Sequence, residues 1–379
     1  MSDVVTEVTR TGFLGNLKNA VVGVLVGLVM FAASFPVLYW NEGRVNLAAV
    51  AKTSLPAPAD KPDAALEGKF VSVSAAVQSK EEIGDPEFLR AGPWIRLDRK
   101  VEMFAWKEKK DTKEEKELGG GTKKTTTYTY TKEWVHDPKP SSEFHSPAGH
   151  ENPPLALPAA TFKVKRAELG GYGLDASACE LPSGGPLTVT SALLDGASVS
   201  GRGAKLDGSY VFFGVGSVAN PTVGDVRVSF LALERGALVT LFGKQTADQI
   251  GPHVFSENES PFFRALKGTR EEAIAELAFE DAVIRWLLRG LGFILMWFGM
   301  SLVLGPISAV MDVIPALGGV SRFLIGVILF PIALVLTTVT IVISLIFHSL
   351  VATVIAVVVV AIALFVIFGR KKKPAAAAA

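Results

Sequence analysis

Long apolar runs without charge lie near the two ends of the chain, and charged residues fill the stretch between them. Residues 20–40 are long enough to cross a bilayer and end in Tyr39-Trp40, an aromatic pair typical of a membrane interface. Three further apolar runs follow in the last quarter, at residues 286–311, 323–347 and 350–368. The pattern predicts four transmembrane helices, one N-terminal and three C-terminal.

The stretch before the second run has the period of an amphipathic helix. Residues 271–285 are rich in Ala and Glu, and one face carries Ile274, Leu277, Ala278 and Ile284. No Pro or Gly occurs between Arg270 and Arg289. A single helix is therefore expected to run from this linker into the second span.

Between residues 41 and 270, apolar and polar residues alternate with the period of two that half-buried strands show. The clearest strand-like segments are 70–75, 101–106, 127–131, 209–213, 226–230 and 238–242. The mixed-charge run 107–124 is expected to form a solvated hairpin tip. The proline-rich stretch 138–158 is a candidate boundary between two β subdomains.

Basic residues at the span ends predict the orientation. Arg370 and three lysines follow the last span, and Arg10 and Lys18 precede the first, so residues 1–19 and 369–379 are expected in the cytoplasm. Residues 41–285 then lie outside it. The predicted fold class is an α+β membrane protein, with four transmembrane helices and a mainly β extracytoplasmic domain.

Composition narrows the possibilities further. A net charge of +1 excludes the strongly basic surface that nucleic-acid binding requires, so no nucleic-acid partner is expected. The single cysteine, Cys179, cannot form an intramolecular disulfide. A cleaved signal peptide ending near Ala32-Ala33-Ser34 is the alternative for the first span, but the apolar run continues to Trp40.

Several short motifs, each present once, follow one another along the chain. They are Asn41-Glu42-Gly43-Arg44, Asp85-Pro86, Arg99 to Phe104 (which includes Glu102) with Trp106, Tyr128 and Tyr130 with Glu133-Trp134, His150 with Asn152-Pro153, and Val223 to Phe230, which includes Gly224, Asp225 and Arg227. With this order and the layout of one span plus three, the chain resembles the transmembrane protein 43 family, also called LUMA, over roughly residues 10 to 370.

The resemblance implies a membrane scaffold that oligomerises, with no catalytic residues and no cofactor. Eukaryotic members reside in the endoplasmic reticulum and inner nuclear membrane and associate with envelope proteins. The Ala- and Gly-rich chain with its oligo-Ala end is more similar to a bacterial homologue, for which the inner membrane is the expected location. Membrane lipids, further copies of the chain and other membrane or envelope proteins are the expected partners.

Candidate chemistry is sparse. His136, His145 and His150 are weak metal-ligand candidates, because their spacing fits no compact zinc template. The alternative function is an envelope lipid-handling or metal-dependent protein that uses the β domain or this loop. Glu42 or Arg44 could form a salt bridge to Asp225 or Arg227, or could lie in a solvated turn.

Two patterns predict helix packing in the membrane. Thr337, Thr340, Ser344 and His348 share one face of the third span and are expected to hydrogen-bond to a neighbouring helix. A proton or ion pathway along this face is the alternative, although no carboxylate or lysine joins it. Gly23 and Gly27 form a GxxxG motif on the first span, which allows close helix contact.

Overall fold

The computed structural model describes residues 3–201, 203–255, 260–348, 354 and 358. They form two compact units. The β unit comprises Met1–Glu7, Asn46–Thr112 and Thr126–Phe279, and the helical unit comprises Val8–Val45, Lys113–Thr125 and Glu280–Ala379. The predicted fourth span, apart from Val354 and Val358, and the basic tail 369–379 lie outside the described residues.

The described part of the chain contains both helices and strands. The helices are α1 (Phe13–Gly43), α2 (Leu47–Lys52), α3 (Gly196–Gly201), α4 (Arg270–Val303), α5 (Gly305–Met311) and α6 (Pro315–His348). The strands are β1 (Asp3–Thr11), β2 (Leu55–Pro56), β3 (Phe70–Gln78), β4 (Ile83–Asp85), β5 (Leu89–Gly92), β6 (Trp94–Lys116), β7 (Thr122–Val135), β8 (Ala160–Lys163), β9 (Arg166–Leu169), β10 (Tyr172–Asp175), β11 (Gly185–Leu187), β12 (Ala204–Asp207), β13 (Tyr210–Phe213), β14 (Val226–Glu234), β15 (Leu238–Thr246), β16 (Gln249–Gly251) and β17 (Arg264–Lys267).

Three helical stretches among the described residues are long and apolar enough to cross a membrane: Phe13–Lys52, Arg270–Val303 and Gly318–His348. Linker and second span form one helix, α4, as the absence of Pro and Gly predicts. This helix ends at Val303, however, so the predicted span 286–311 is divided between α4 and α5. Pro306 explains the division, because a proline ring clashes with the carbonyl four residues earlier.

The third apolar helix begins earlier than its hydropathy suggests. Since α6 starts at Pro315, Arg322 lies within this helix and not in a loop before it. The Arg322 guanidinium donates to the buried carboxylate of Asp312, with Nη1 and Oδ2 2.8 Å apart. Hydropathy predicts that this span starts at Phe323, because the charge of Arg322 lowers the local hydropathy. The sequence does not show that an acidic partner neutralises this charge.

Two large sheets and one small one build the β fold. One sheet has the order β1-β7-β6-β14-β13-β12, with β11 and β8 as additional neighbours, and the other has the order β17-β15-β16-β10-β9-β3-β2. Strands β4 and β5 form the small sheet. Each large sheet takes strands from both sides of the stretch 138–158. The predicted boundary between β subdomains is therefore not at these prolines.

The core of the β unit has three main clusters. One surrounds Val73, Leu169 and Leu241, and another surrounds Phe88, Leu97 and Phe230. The third packs the first turns of α4 and helix α2 onto the seven-stranded sheet, through residues that include Ala51, Phe242, Leu266, Ala273 and Leu277. The amphipathic face predicted for 271–285 is thus buried against this sheet only at Ile274 and Leu277, whereas Ala278 and Ile284 of the same predicted face are exposed.

Helices α1 and α4 cross closely in the helical unit. A Cβ atom added to Gly27 would lie 2.6 Å from the Gly299 carbonyl oxygen, whereas one added to Gly23 would meet only Leu302 at an ordinary 3.8 Å. Of the two glycines in the predicted GxxxG motif, only Gly27 makes a close helix contact. It meets Gly299 of α4, which is not part of that motif. Leu38, Met296 and Ala333 fill the centre where α1, α4 and α6 meet.

The polar face of α6 is divided between two uses. Thr337 is buried with its hydroxyl 3.6 Å from the Met296 sulfur, and the Ser344 hydroxyl donates to the Tyr39 carbonyl at 3.1 Å. Thr340, in contrast, donates to Leu336 within α6, and the His348 ring lies 4.3 Å from that of Tyr39. Of the four residues, Thr337 thus contacts α4 and Ser344 hydrogen-bonds to α1, as expected.

The hairpin tip also belongs to the helical unit. Asn16 donates to the Gly120 carbonyl at 2.7 Å, and Lys116 Nζ lies 2.9 Å from Asp312 Oδ2. Residues 109–115 are exposed, as the charged composition predicts, but the tip packs beside the N-terminal end of α1. This end of α1 is the one opposite Glu42.

Candidate functional site

The first group of motif residues closes the C-terminal end of α1. The Glu42 side chain is 0 % exposed, and its two oxygens accept hydrogen bonds from Nε and Nη2 of Arg289, each at 2.8 Å. Arg285 Nη1 lies 3.6 Å from the same carboxylate. We call Glu42, Arg285 and Arg289 the interfacial charge cluster, because the first and second apolar helices meet there.

Local sequence positions this cluster. Helix α1 continues past the aromatic pair to Gly43, and Arg44 then adopts an extended conformation. A Cβ atom on Gly43 would overlap the His348 imidazole, so a larger residue fits only if that ring turns away. Asn41 adds a cross-helix bond, since its Nδ2 donates to the Arg285 carbonyl at 3.1 Å.

For Glu42 neither alternative was right, because it is buried and its partners lie on α4. Glu42 pairs with Arg289 and Arg285, and Arg227 is bound to Glu102. A doubly hydrogen-bonded guanidinium and carboxylate form one of the strongest polar contacts available to side chains, especially where water is scarce.

A second group of motif residues forms a stack of rings on β6 and β7. The His150 side chain is 3 % exposed and lies flat on Tyr130, with 3.8 Å between ring centroids, while the Trp106 ring meets it edge-on at 4.7 Å. His145 stacks on Tyr128 at 4.0 Å. We call these five residues the aromatic–histidine cluster. It attaches the proline-rich stretch to the sheet.

Hydrogen bonds fix this cluster. The Tyr130 hydroxyl donates to Glu108 Oε2 at 2.6 Å and accepts from the Ser146 backbone N–H at 2.9 Å. Burial, and next the bond to Glu108, raise the pKa of Tyr130 to about 12. The His145 backbone N–H donates to the same Glu108 oxygen at 2.6 Å. The phenol therefore stays protonated and acts as a fixed donor.

The side-chain amide of Asn152 attaches the same stretch, because it forms the pair of hydrogen bonds that the backbone of a neighbouring strand would form. Its Oδ1 accepts from the Trp106 backbone N–H at 2.7 Å, and its Nδ2 donates to the Trp106 carbonyl at 2.9 Å. The neighbouring Pro153 packs against Gly224, which has a φ of +97° that favours glycine. Asp225 then closes the loop before β14, because its carboxylate accepts from the backbone N–H groups of Val215 and Thr222.

The three candidate metal-ligating histidines do not converge. His136 Nδ1 lies 3.1 Å from the Val101 carbonyl, and His145 and His150 stack on two different tyrosines. Among the residues that the structure describes, no group of three or more His, Cys, Asp or Glu side chains is placed to hold a metal ion. The arrangement instead favours packing roles for these rings.

The third group of motif residues lies on the face of the eight-stranded sheet. The Arg227 guanidinium sits over the rings of Trp134 and Tyr210, at 4.5 and 5.0 Å from their centroids. Glu102, its direct cross-strand partner, accepts from Arg227 Nε at 2.7 Å. We call Trp134, Tyr210 and Arg227 the aromatic–arginine patch. All three side chains are held in place, and each is partly accessible.

Both tryptophans flanking the hairpin are at least half buried, as expected for large rings at strand ends. Trp134 packs edge-on against Phe104 at 5.5 Å, and Phe104 lies two residues before Trp106 on the same side of β6. Glu133, directly before Trp134, forms an ion pair with Lys107 at the surface. Exposed pairs of this kind contribute little to stability.

Sequence reasoning also missed the buried ion pair between Arg99 and Asp85. Arg99 Nη1 lies 3.0 Å from Asp85 Oδ2, and the guanidinium also sits 5.3 Å from the Phe88 ring centroid. Desolvation outweighs the attraction of Arg99 and raises the pKa of Asp85. Both residues occur in family motifs, but nothing in a single sequence shows that they are paired.

Comparison with known proteins agrees with this reading of the motifs. The sequence profile of the family described as transmembrane protein 43 matches residues 103–350. Transmembrane protein 43 of Rattus norvegicus is 28% identical over 317 residues, covering 79% of this chain and 78% of the relative. The Homo sapiens protein is 27% identical over 315 residues (78% and 76%), and the Drosophila melanogaster homologue 26% over 289 residues (73% and 75%).

No solved structure matches the chain. The profile nevertheless covers the stretch from β6 through the last described apolar helix. The chain is therefore an integral membrane protein that belongs to the transmembrane protein 43 family.

Proposed function

We propose that this chain is a non-enzymatic organiser of membrane proteins, which self-associates and docks other membrane or envelope proteins through its β unit. The observation that carries the proposal is the aromatic–arginine patch. Trp, Tyr and Arg are the residues that dominate binding energy at protein interfaces. Here they are already ordered by mutual stacking and by Glu102, so little side-chain entropy is lost on binding.

The remaining motif residues support the same interpretation. Each joins segments that are distant in the chain: Glu42 to Arg289, Asn152 to Trp106, and Tyr130 to His150. Such contacts produce a rigid framework. A framework of this kind suits a scaffold, whose task is to present a fixed surface to its partners.

A photocrosslinking experiment tests the docking surface. Benzoylphenylalanine in place of Tyr210 is expected to capture a specific membrane protein in native membranes, identified by mass spectrometry, whereas the same probe at the exposed Val215 captures little of it. Adding Trp134→Ala should reduce the Tyr210 crosslink by about tenfold or more, as expected for truncation of a central interface residue.

Two outcomes would overturn the docking surface. One is equal capture of the same protein from positions 210 and 215. The other is a Tyr210 crosslink that persists unchanged in the Trp134→Ala variant while that variant inserts and unfolds like the parent.

We propose in addition that the β unit lies outside the cytoplasm, with the basic tail inside. Residues 3–7 belong to this unit because β1 pairs with β7, so the cytoplasmic N-terminus expected from Arg10 and Lys18 does not fit this strand pairing. Labelling of introduced cysteines tests this orientation, because the native thiol, Cys179, is not expected to react with the reagent. Cys179 is buried, and this burial raises its pKa to about 12, so the unmodified chain should not react with an impermeant maleimide near neutral pH. Ser183→Cys should label in intact cells, and Ala376→Cys only after permeabilisation.

The hairpin tip needs a separate position. Leu118→Cys is suitable because Leu118 is exposed, whereas Gly120 is buried and has a φ of +81°. Labelling with Ser183→Cys would agree with the charge rule for the whole of residues 41–285. Labelling of Leu118→Cys from the side of Ala376→Cys would show that the charge rule fails for this segment.

A further inference from the structure

We propose that Arg44 binds the phosphate of a membrane phospholipid where the chain leaves α1. The inference concerns the chain's lipid contacts and does not depend on the organiser function. It begins from an arginine that lacks a partner. Arg44 Nη1 is buried and has no hydrogen-bond partner, and none of the acidic side chains that the structure describes pairs with its guanidinium.

The nearest acidic residue in sequence is not available to Arg44. Glu42, two positions earlier, is saturated by the bidentate bond from Arg289 and by Arg285. The Trp40 ring lies beside this side chain, with its centroid 5.8 Å from the Arg44 guanidinium carbon. Arg44 as a whole is partly exposed, and an unpaired guanidinium N–H is destabilising, so an acceptor from outside the chain is expected at the accessible part of the guanidinium.

The position of Arg44 identifies that acceptor. Trp40 and Trp286 are 62% and 68% exposed, and exposed tryptophans at the ends of transmembrane helices mark the level of the lipid headgroups. The abundant acceptor at this depth is the phosphodiester. Its oxygens match the planar fork of a guanidinium, and the Trp40 ring can hold the side chain at that level.

Native mass spectrometry of the full chain in detergent tests the proposal. Three probes are titrated in turn: dioleoylphosphatidylglycerol, dioleoylglycerol and inorganic phosphate. The first phosphatidylglycerol molecule should bind the parent chain, and Arg44→Gln should weaken this binding about tenfold, as expected for loss of a charge-assisted hydrogen bond. Arg44→Lys should keep most of it, because lysine also binds phosphate as a point charge.

The matched control is Arg90→Gln, which removes an exposed arginine from the β unit and should leave binding unchanged. Equal binding by the parent chain and Arg44→Gln would overturn the site. So would equal binding of dioleoylglycerol, which lacks the phosphate, and this comparison uses the parent chain even if Arg44→Gln does not fold. Displacement of phosphatidylglycerol by inorganic phosphate would identify a free-anion site and overturn the lipid assignment.

Discussion

Glu42→Ala is expected to destabilise the helical unit by about 3–5 kcal/mol, because it leaves two guanidinium groups facing a site without a carboxylate. Arg289 would lose both of its 2.8 Å hydrogen bonds, and Arg285 would keep only Asp281, 3.1 Å away. The loss should appear as a lower unfolding temperature in detergent, measured by circular dichroism. Glu276→Ala is the matched control, because Glu276 is an exposed acid on α4.

A double variant separates the cost of an unpaired charge from the value of the pair itself. Replacing Glu42 with Leu and Arg289 with Met removes both charges and fills similar volume, so most of the lost stability should return. If Glu42→Ala unfolds at the same temperature as Glu276→Ala, the cluster is solvated in the membrane-inserted protein. The fixed joint between α1 and α4 would then have to come from the glycine crossing, the Asn41 hydrogen bond and the packing of Leu38 on Met296.

Periodicity was sufficient wherever an element is decided by its own sequence. All six strand-like segments fall on observed strands, β3, β6, β7, β13, β14 and β15, apart from Ser209 at one end. The linker part of helix α4 was also anticipated, because Ala, Glu and Leu favour a helix and no Pro or Gly occurs between Arg270 and Arg289. Strand β1 was missed, although it contains three valines and three threonines, because an edge strand depends on its neighbour β7 for pairing.

Boundaries and pairings escaped prediction for a different reason. Helix α1 ends at Gly43 and not at Trp40, since Glu42 finds its partner on a segment almost 250 positions away. His150 could not be distinguished from an ordinary loop histidine, because the Tyr130 ring that covers it comes from β7. These contacts depend on tertiary structure. A single sequence contains the residues but not the fact that they meet.

Gly299→Leu is expected to separate α1 from α4, with a loss of about 3 kcal/mol at the upper end of the usual cost of overpacking. A Cβ atom at this position would lie 2.7 Å from the Phe31 backbone nitrogen and 2.8 Å from the Gly27 carbonyl oxygen. Both neighbours are backbone atoms of the facing helix. They cannot rotate away, so the helices themselves must move apart.

Gly290→Leu is the control for residue size, because it makes the same change on the same helix at a position where a Cβ atom meets nothing within 4 Å. Gly23→Ala is the second control, and it should be neutral or stabilising by roughly 0.5–1 kcal/mol, since alanine favours a helix and only Leu302 is in contact. Unfolding temperature in detergent and the yield of membrane-inserted protein measure all three variants. If Gly299→Leu behaves like Gly290→Leu, α1 and α4 do not cross at Gly27 in the membrane. If the helices cross there, Gly299→Leu should lose stability while Gly290→Leu and Gly23→Ala should not.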